Sequence, residues 1–472
     1  MEVSPQQSCE LNANELLSRV RRRGTLLVLL IVALTSAAQL EAESPAAPLT
    51  LVKAGRLLDP RTGRVLAPAA VLIEGDKIKQ VGASSQIAVP AGANIIDLGS
   101  ATLLPGLIDG HTHLFLDIIV LPEAEQDRHA NGLFAPGLLL AVVESPIKRA
   151  LMAAQLARED LESGITTVRN LGHSGIDGDT ELRDAINAGR VPGPRILAAA
   201  RKLITRGEYV QNLNPALSES ILKQEFLLID GPESARQAVR QNVLQTVDVI
   251  KVSADENLTV PELAAAVEEA HRNHLKLAVH AIEKAAIQTA IDSGADSIEH
   301  GNEATDEQLK QMRDKGIVLD LTPTFYDGGY LKLADPVIVI SPAVHAERAS
   351  SAALSKQRYD QLVQRVLKSG VKFAMGSDMC WSYPGKTRGE ASAATFVNLH
   401  QAGVPALQVI RAVTSNAADM LGWADRIGTI EPGKFADLIA VVGDPVADIG
   451  ELERVRFVMQ GGQVVRNGLS SH

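Results

Sequence analysis

The chain has 472 residues, of which 46% are hydrophobic. This length and composition allow one large folded domain together with a smaller one. The 46 basic and 56 acidic residues give a net charge of -10, which argues against a nucleic acid as the partner.

The N-terminus has the order of an export signal. Basic residues at 19–23 precede the apolar run Leu26–Leu34, and small residues follow at 36–38. The apolar run is short for a membrane span. We therefore expect residues 1–42 to be a leader and signal peptide that is cleaved, with a retained anchor as the alternative. Cleavage predicts a secreted or periplasmic protein with no stable membrane span.

Short strands are predicted at both ends of the remaining chain. Residues 48–102 contain strand patterns that meet at the hairpin turn Gly75-Asp76, and residues 424–472 contain similar patterns around Gly461-Gly462. We expect these two segments to form one small β-sandwich domain that is built from both termini.

Between these segments, residues 103–423 alternate short apolar strands with longer amphipathic helices, which is typical of parallel βα units. Eight strands are predicted, at Leu103–Asp109, Ile165–Asn170, Arg195–Ala199, Val249–Val252, Lys276–His280, Ser297–His300, Val318–Thr322 and Lys372–Met375. The clearest helices are predicted at Ala150–Ser163, Pro261–His274, Ile282–Ser293, Asp306–Lys315 and Tyr359–Ser369. This pattern predicts a (β/α)8 TIM barrel with its active site at the C-terminal ends of the strands. An open doubly wound sheet is the alternative, although the chain has no Gly-x-Gly-x-x-Gly turn.

His111 and His113 follow directly on the first predicted barrel strand. Side chains at positions i and i+2 of a strand point to the same face, so the two imidazoles project together from the strand end. Two ligands of one metal ion have this arrangement, whereas the alternative is a pair of unrelated surface histidines beside a turn. The other predicted strands favour the metal site, because several of them also end in side chains that can ligate a metal.

Lys251, His280, His300 and Asp378 lie at or just beyond the ends of other predicted strands. Neutral imidazoles and a carboxylate are a normal ligand set for zinc or a related divalent ion. Each residue alone also has a structural explanation, as a solvated lysine, a core histidine or a turn aspartate. Their joint position at the strand ends of one barrel favours a shared metal site.

These motifs resemble those of the amidohydrolase superfamily over almost the whole chain after the leader. The resemblance rests on His111-Thr-His113, Lys251, His280, His300-Gly301 and Gly376-Ser-Asp378, and also on Pro105–Asp109, Ile165–Asn170 and Ile427–Asp437. Within the superfamily, the chain is most similar to the imidazolonepropionase-like branch that carries a lysine. That branch includes Xaa-Pro and other dipeptidases, carboxypeptidase-like enzymes and amidases that hydrolyse ochratoxin A.

The resemblance implies a centre of two divalent metal ions, with zinc expected. His111 and His113 would bind the more buried ion together with Asp378. His280 and His300 would hold the second ion, and Lys251 would bridge the two ions. That lysine would be N-carboxylated, because an unmodified ammonium group cannot ligate a cation.

The resemblance also implies a hydrolase that cleaves a peptide-like amide bond by metal-activated hydroxide. The expected substrate is small and has a free carboxylate, such as a dipeptide, an N-acyl amino acid or ochratoxin A. Asp378 would carry the proton to the leaving nitrogen, and Tyr209 would donate a hydrogen bond to the oxyanion. Arg169, His173, Arg206 and Tyr209 are expected to bind the substrate from loops after the second and third strands.

Two further functions stay open at this stage. The same site could hydrolyse a cyclic amide or a lactone, or the barrel could be a binding protein without catalysis. The second alternative usually involves lost ligands, and none of the expected set is missing. The long segments 117–136 and 326–350 follow predicted strands one and seven and are interpreted as lids or specificity walls. A homo-oligomer is also left open.

Overall fold

The computed structural model describes residues 47–117, 141, 143–205, 214–255, 257–322, 342–381 and 385–469, with the backbone alone for 342–353 and 355. The predicted signal peptide at 1–42, Arg206, Tyr209, and most of the segments 117–136 and 326–350 lie outside these residues. Within the described ranges, no helix combines the length and apolar character needed to cross a membrane.

Strands from both ends of the described chain pair with each other. The N-terminal strands are β1 Leu49–Ala54, β2 Arg56–Leu58, β3 Val65–Leu66, β4 Ala69–Glu74, β5 Lys77–Ala83, β6 Asn94–Asp97 and β7 Thr102–Pro105, and the C-terminal strands, numbered last, are β18 Leu438–Val441, β19 Phe457–Gln460 and β20 Gln463–Asn467. One sheet has the order β20-β19-β18-β7-β2-β3, and a second has the order β5-β4-β1-β6. Both contribute to one apolar core, through residues such as Val52, Val71, Leu103, Leu438 and Phe457.

The middle of the chain forms parallel strands, as the sequence predicts. They are β8 Leu107–Thr112, β9 Ile165–Asn170, β10 Arg195–Ala198, β11 Lys202–Ile204, β12 Phe226–Leu228, β13 Val249–Ser253, β14 Lys276–Ala281, β15 Ser297–His300, β16 Val318–Leu321 and β17 Phe373–Met375. Two parallel sheets result, with the orders β10-β9-β8 and β12-β11-β13-β14-β15-β16-β17. The mixed α/β architecture with parallel sheets is therefore confirmed.

Backbone hydrogen bonds connect these two parallel sheets at both of their sides. On one side, Asp248 N–H donates to the carbonyl of Ala198 at 2.8 Å. On the other side, Asp378 N–H donates to the carbonyl of His111 at 2.7 Å. The ends of β8 and β17 thus lie side by side, and this adjacency brings together residues that are far apart in sequence.

The first predicted barrel strand differs from the prediction, because it is divided between two sheets. Its first part, β7, pairs with β18, and its second part, β8, pairs with β9. Gly106 makes the junction, where a Cβ atom would lie 2.0 Å from Oγ1 of Thr166. Only glycine fits such a close approach. The strands β11 and β12 were not predicted, since each has three residues and shows too little alternation.

The helices between the parallel strands are α1 Pro146–Glu162, α2 Gly178–Asn187, α3 Pro215–Glu225, α4 Pro232–Val243, α5 Val260–Arg272, α6 Lys284–Ser293, α7 Asp306–Lys315, α8 Pro342–Ser369, α9 Arg388–Gln401, α10 Ala406–Ala412 and α11 Ser415–Leu421. Helix α7 begins with a capping box between Thr305 and Gln308. Helix α8 is longer than predicted, so the end of the segment interpreted as a loop is helical. A proline at its first position and a run of good helix formers account for the early start.

Apolar side chains join the helices to the parallel strands in one large core. Strand residues such as Ile250, Leu277 and Ile298 lie in the same buried cluster as the helix residues Leu263 and Ile287. This packing fixes the strands, so that the polar residues at their C-terminal ends are held on rigid elements.

Candidate active site

The six side chains that the sequence predicts as metal ligands lie at or near the C-terminal ends of the parallel strands. They are His111 in β8, His113 just after it, Lys251 in β13, His280 in β14, His300 at the end of β15 and Asp378 just beyond β17. Five are between 1% and 6% exposed, whereas His280 is partly exposed. The parallel arrangement thus brings together residues separated by more than 260 positions in the sequence.

Asp378 lies among three of the histidines. Its Oδ1 is 3.4 Å from Nε2 of His111 and 3.2 Å from Nε2 of His113. Its Oδ2 is 4.0 Å from Nδ1 of His300. The ligand atoms of His111, His113 and Asp378 all lie within 4.8 Å of one another, which makes this group able to hold a metal ion. The ring of His280 lies 4.5 Å from that of His300, between centroids.

Two strand ends of the site come very close to each other, and two residues of the site have a strained backbone. A Cβ atom on Gly376 would lie 2.2 Å from Cβ of His111, so the turn before Asp378 requires glycine. His300 and Asp378 have φ values of 71° and 50°, in the left-handed region that non-glycine residues avoid at a cost of roughly 1–2 kcal/mol. Such strain persists where surrounding structure enforces it, and it is common at functional sites.

Three of the four histidines form a hydrogen bond with a protein oxygen through Nδ1, and the fourth, His280, has a carboxylate oxygen near its Nε2. Nδ1 of His111 lies 3.0 Å from Oε2 of Glu299, and Nδ1 of His113 lies 3.3 Å from the carbonyl of Gly172. The two remaining contacts join Nε2 of His280 to Oδ2 of Asp255 at 2.8 Å, and Nδ1 of His300 to Oγ1 of Thr322 at 2.6 Å. Metal-binding histidines characteristically have such a partner, which orients the ring and leaves the other nitrogen for the metal. The donor set therefore fits a metal centre.

The electrostatics keep these histidines in the neutral form that ligates metals. Burial lowers the pKa of His111, His280 and His300 well below the ordinary value, and nearby positive charges lower it further. Burial alone would raise the pKa of Asp378, but its contact with His113 and the nearby His300 and Lys251 hold that pKa below its ordinary value. Asp378 is therefore an ionised carboxylate, which is the form that accepts a proton or binds a cation.

Lys251 is the largest fully buried side chain, and its Nζ has no hydrogen-bond partner among the described residues. Burial lowers its pKa to about 7, with the charges of Lys202 and Arg169 acting in the same direction. A large fraction of this amine is thus neutral near pH 7. A neutral amine is nucleophilic, whereas an ammonium group is not.

Arg169 occupies a different place from the one expected. It lies within β9 rather than on a loop, and it is 2% exposed. Its guanidinium donates to both carboxylate oxygens of Glu299 at 2.9 Å, to Asp320 at 3.1 Å and to the carbonyl of Gly110 at 2.6 Å. Glu299 in turn contacts His111, so the buried Arg169 supports that histidine and is not placed to receive a substrate.

His173 lies next to the metal-type residues, on the loop after β9 as expected. Its ring is 5.1 Å from that of His113 and 5.8 Å from that of Phe226. Its backbone carbonyl accepts a hydrogen bond from Arg149, which forms a buried ion pair with Glu225 at 2.7 Å. The loop that carries His173 is therefore fixed from two helices, whereas the positions of Arg206 and Tyr209 are outside the described residues.

Two further residues of the site were missed in the sequence. Lys202 begins β11, is 3% exposed, and has its Nζ 6.0 Å from the ring centroid of Phe226. Asp255 lies two residues beyond β13 and contacts His280. Asp255 could have been found from the sequence, because a carboxylate just beyond a predicted strand is a signal of a site residue. Lys202 gave no such signal, because its strand was not predicted.

Known proteins resemble this chain over most of its length. Ochratoxinase of Aspergillus niger is 28% identical over 463 residues, which cover 90% of this chain and 88% of that protein. Imidazolonepropionase of Shouchella clausii is 25% identical over 440 residues, which cover 86% of this chain and 87% of that protein. A solved structure of a Xaa-Pro dipeptidase with bound methionine in the active site covers 89% of this chain and 100% of its own, with 29% identity and a TM-score of 0.70.

The family comparison covers most of the chain. The model of the amidohydrolase family matches residues 102–465, from strand β7 to strand β20. The resemblance predicted from the motifs is thereby confirmed. The chain belongs to the amidohydrolase family and is a hydrolase that acts on C–N bonds.

Proposed function

We propose that this protein is a binuclear metal-dependent hydrolase that cleaves the amide bond of a small substrate with a free carboxylate. One observation carries the proposal. Four neutral histidines, each with one ring nitrogen within 2.6–3.3 Å of a protein oxygen, lie at the same strand ends as a buried carboxylate and a buried lysine of lowered pKa. This combination offers enough ligands for two ions and is costly to keep without a function for it.

The ligands divide into two sets in this proposal. His111, His113 and Asp378 hold the more buried ion, and His280 with His300 holds the second. Lys251 in its N-carboxylated form would be a ligand shared by the two, since its amine is buried and its lowered pKa favours the neutral form that reacts with carbon dioxide. Zinc suits these nitrogen and oxygen ligands. Two bound divalent ions would supply a water of lowered pKa and a polarised amide carbonyl.

Asp378 is the proposed proton carrier. Its carboxylate is ionised and lies at the centre of the ligand set, so it can accept the proton of the attacking water. It then passes this proton to the leaving nitrogen. Without that transfer the leaving group would be an amide anion, which is too basic to depart.

Two observations support a substrate with a free carboxylate: the charged side chains near the site and the substrates in the names of the relatives. Lys202 and His173 both lie near Phe226, so this part of the site carries a cationic and a hydrogen-bonding side chain of the kind that binds a carboxylate. The related proteins include an ochratoxinase and a Xaa-Pro dipeptidase. Ochratoxin A, dipeptides and N-acyl amino acids share a free carboxylate beside an amide bond. Arg206 and Tyr209 stay predictions as substrate-binding groups, with Tyr209 at the oxyanion.

Hydrolysis of a cyclic amide is the second candidate function. The observation that favours it is the similarity to imidazolonepropionase over 86% of this chain. The same metal ligands and the same proton carrier would serve that reaction. A binding protein without catalysis is disfavoured, because the expected ligand set is complete in the sequence.

The finer architecture and location are also proposals. The hydrogen bonds that connect the two parallel sheets support a closed (β/α)8 barrel over residues 103–423. The apolar core shared by the two terminal sheets supports a composite β-sandwich domain of residues 48–102 and 424–472. Export by the N-terminal signal stays our proposal for the location.

Two measurements test the proposed function. Purified protein should carry about two divalent ions per chain, measured by elemental analysis after reconstitution with zinc or cobalt. The reconstituted protein should hydrolyse members of a panel of N-acyl amino acids and dipeptides. A metal content below about one ion per chain after reconstitution would contradict the binuclear centre. Activity on cyclic amides alone would favour the second candidate.

A further inference from the structure

The strand ends that carry His111 and Asp378 are joined by a buried carboxylate. Asp109 lies in β8, two residues before His111, and is fully buried. Its Oδ1 accepts hydrogen bonds from the backbone N–H of Ser377 at 2.8 Å and from the backbone N–H of His111 at 3.1 Å. Its Oδ2 accepts a hydrogen bond from the hydroxyl of Ser377 at 2.5 Å. One carboxylate therefore holds both the strand of His111 and the turn of Asp378.

Ser377 extends this contact to the far side of Asp378. Its Oγ accepts a hydrogen bond from the backbone N–H of Met379 at 3.1 Å. Between these two residues, the backbone N–H of Asp378 donates to the carbonyl of His111 at 2.7 Å. All three backbone N–H groups of this turn are thus bound, and two of the three bonds end on the side chains of Asp109 and Ser377.

This turn holds Asp378 in an unfavourable conformation. Its φ of 50° lies in the left-handed region, which non-glycine residues avoid. Such a conformation persists only where the surrounding structure enforces it. The backbone fixes the direction of Cβ, so this conformation also determines where the carboxylate lies. Oδ1 of Asp378 is 3.4 Å from Nε2 of His111 and 3.2 Å from Nε2 of His113. Release of the turn would therefore move the carboxylate relative to the two imidazoles.

We infer that Asp109 is a positioning residue: through Ser377 it holds Asp378 in the left-handed conformation and so fixes the proposed proton carrier against the histidines of the first ion. The inference rests on the proposed function, and it assigns a role to two residues outside the ligand set. Asp109 binds the backbone of His111, whereas Glu299 contacts its ring. The two buried carboxylates therefore have different roles.

Ser377→Ala tests this link with a small change. Alanine keeps the backbone N–H that donates to Asp109 but leaves the N–H of Met379 without its acceptor. We expect Asp378 to leave the left-handed region and kcat to fall about 10- to 100-fold, a range that reaches the loss for a displacement of about 1 Å. KM and the metal content should change little, because the histidines and Lys251 are retained.

Asp109→Asn shows whether Asp109 and Ser377 act as one unit. The two backbone N–H groups require the amide oxygen at the position of Oδ1, so the amide NH2 group faces the hydroxyl of Ser377. That hydroxyl loses its acceptor, and kcat should fall as it does in Ser377→Ala. Because both changes break the same link, the double variant should lose little more than the more severe single variant. Independent structural roles predict instead that the two fold-losses multiply.

Asp437→Asn is the matched control, since Asp437 is also a buried carboxylate that joins distant segments. It accepts hydrogen bonds from the backbone N–H of Gly461 at 2.7 Å and from the guanidinium of Arg195 at 2.8 and 3.1 Å. Arg195 begins β10, at the opposite end of the parallel strands from the site. The control should lower the thermal unfolding midpoint and leave kcat unchanged. A similar loss of kcat in the control would reflect general loosening of the fold and would contradict the inference.

Two measurements are made on the wild type and on all of these variants. Crystal structures of the metal-free proteins give φ of Asp378 and the distance from its Oδ1 to Nε2 of His113, and they do not depend on activity. Steady-state kinetics on the panel of N-acyl amino acids and dipeptides give kcat and KM. Elemental analysis of the same preparations gives the metal content, and the thermal unfolding midpoint checks that the fold is retained.

A displaced Asp378 carboxylate in Ser377→Ala, an unmoved one in Asp437→Asn and a coupled loss of kcat support the inference. An Asp378 that keeps its wild-type conformation in both Ser377→Ala and Asp109→Asn would overturn it, and so would fold-losses that multiply. If the wild type hydrolyses no member of the panel while the carboxylate still moves in the variants, the proposed function fails and the positioning role of Asp109 is retained. The two failures are therefore distinguishable.

Discussion

The two halves of the proposed metal centre differ in how their histidines are supported. His111 contacts Glu299, which is bound by Arg169, and all three side chains are at most 2% exposed. In the other half, the side chains of His280 and Asp255 are 13% and 15% exposed. The first half is therefore enclosed by protein, whereas the second borders solvent. We therefore expect substrate and water to enter from the second half.

The enclosed half is supported by a buried network in which the charges balance. Burial raises the pKa of Asp320 well above its ordinary value, and the charge of Glu299 acts in the same direction. Burial alone would raise the pKa of Glu299, but Arg169 and Lys251 hold it below the ordinary value. Asp320 is thus protonated and donates to Glu299, so one negative charge faces one guanidinium. A buried pair of this kind favours one fixed arrangement of His111.

Lys251→Ala should have the largest effect, because it removes the group that the two halves are proposed to share. We expect hydrolysis to be lost, with fewer ions bound in both halves. A short carboxylic acid such as formate should restore part of the activity, since a bridging carboxylate is what the variant lacks. Active wild-type enzyme labelled with ¹³C carbon dioxide should show a carbamate carbon in its NMR spectrum. An active enzyme without that signal would contradict the bridge.

Asp378→Asn should have the next largest effect, and it separates chemistry from metal binding. The histidines and Lys251 should keep most of the metal, whereas kcat should fall by about 10²- to 10⁴-fold, the usual range for a general acid–base group. Steady-state kinetics and elemental analysis on the same preparation measure both quantities. If kcat hardly changes while the metal is retained, another residue carries the proton.

The proposed ligands could be located from the sequence because each lies at or near the end of a strand that has a local pattern. His111 and His113 share a strand face, and His280 and His300 each end a short apolar run. Parallel strands place such ends at one edge, so the grouping follows from the fold. The mixed α/β architecture with parallel strands was predictable for the same reason, since the alternation of strands and helices is visible over long segments.

The supporting residues were not predictable in this way. Glu299 contacts His111 across 188 positions, and Asp255 contacts His280 across 25, so no local period connects either pair. The role of Arg169 was misassigned because a buried arginine within a strand has the same sequence signal as a polar residue at its end. Its burial depends on Glu299 and Asp320, which lie on other strands.

Glu299→Gln should sharpen the contrast between the enclosed and the accessible half. An amide cannot replace both acceptor oxygens, so Arg169 loses the carboxylate that it contacts with both oxygens and keeps Asp320 alone. We expect a loss of about 3 kcal/mol in the free energy of unfolding, the scale for breaking a buried ion pair. Metal affinity in the first half should fall about 10- to 100-fold. Denaturant unfolding of metal-free protein should show little change for Asp255→Asn. Equal losses in the two variants would show that the enclosed half is no more dependent on its support.

Lys202→Met should have the smallest effect, and one that depends on the substrate. Methionine keeps much of the length of the side chain and removes its charge, whereas Lys202→Arg keeps a charge as the control. A charge-assisted hydrogen bond contributes about 1.5–3 kcal/mol, so kcat/KM for an N-acyl amino acid should fall roughly 10- to 100-fold in the methionine variant. The C-terminal amide of the same substrate should show little change, because it offers no carboxylate. The four rates form a double-mutant cycle that isolates the contact between Lys202 and the carboxylate. If kcat/KM of the methionine variant fell equally on both substrates, Lys202 would act on the histidines and not on the substrate. Recognition of the carboxylate would then belong to His173 or to the loop that follows β11.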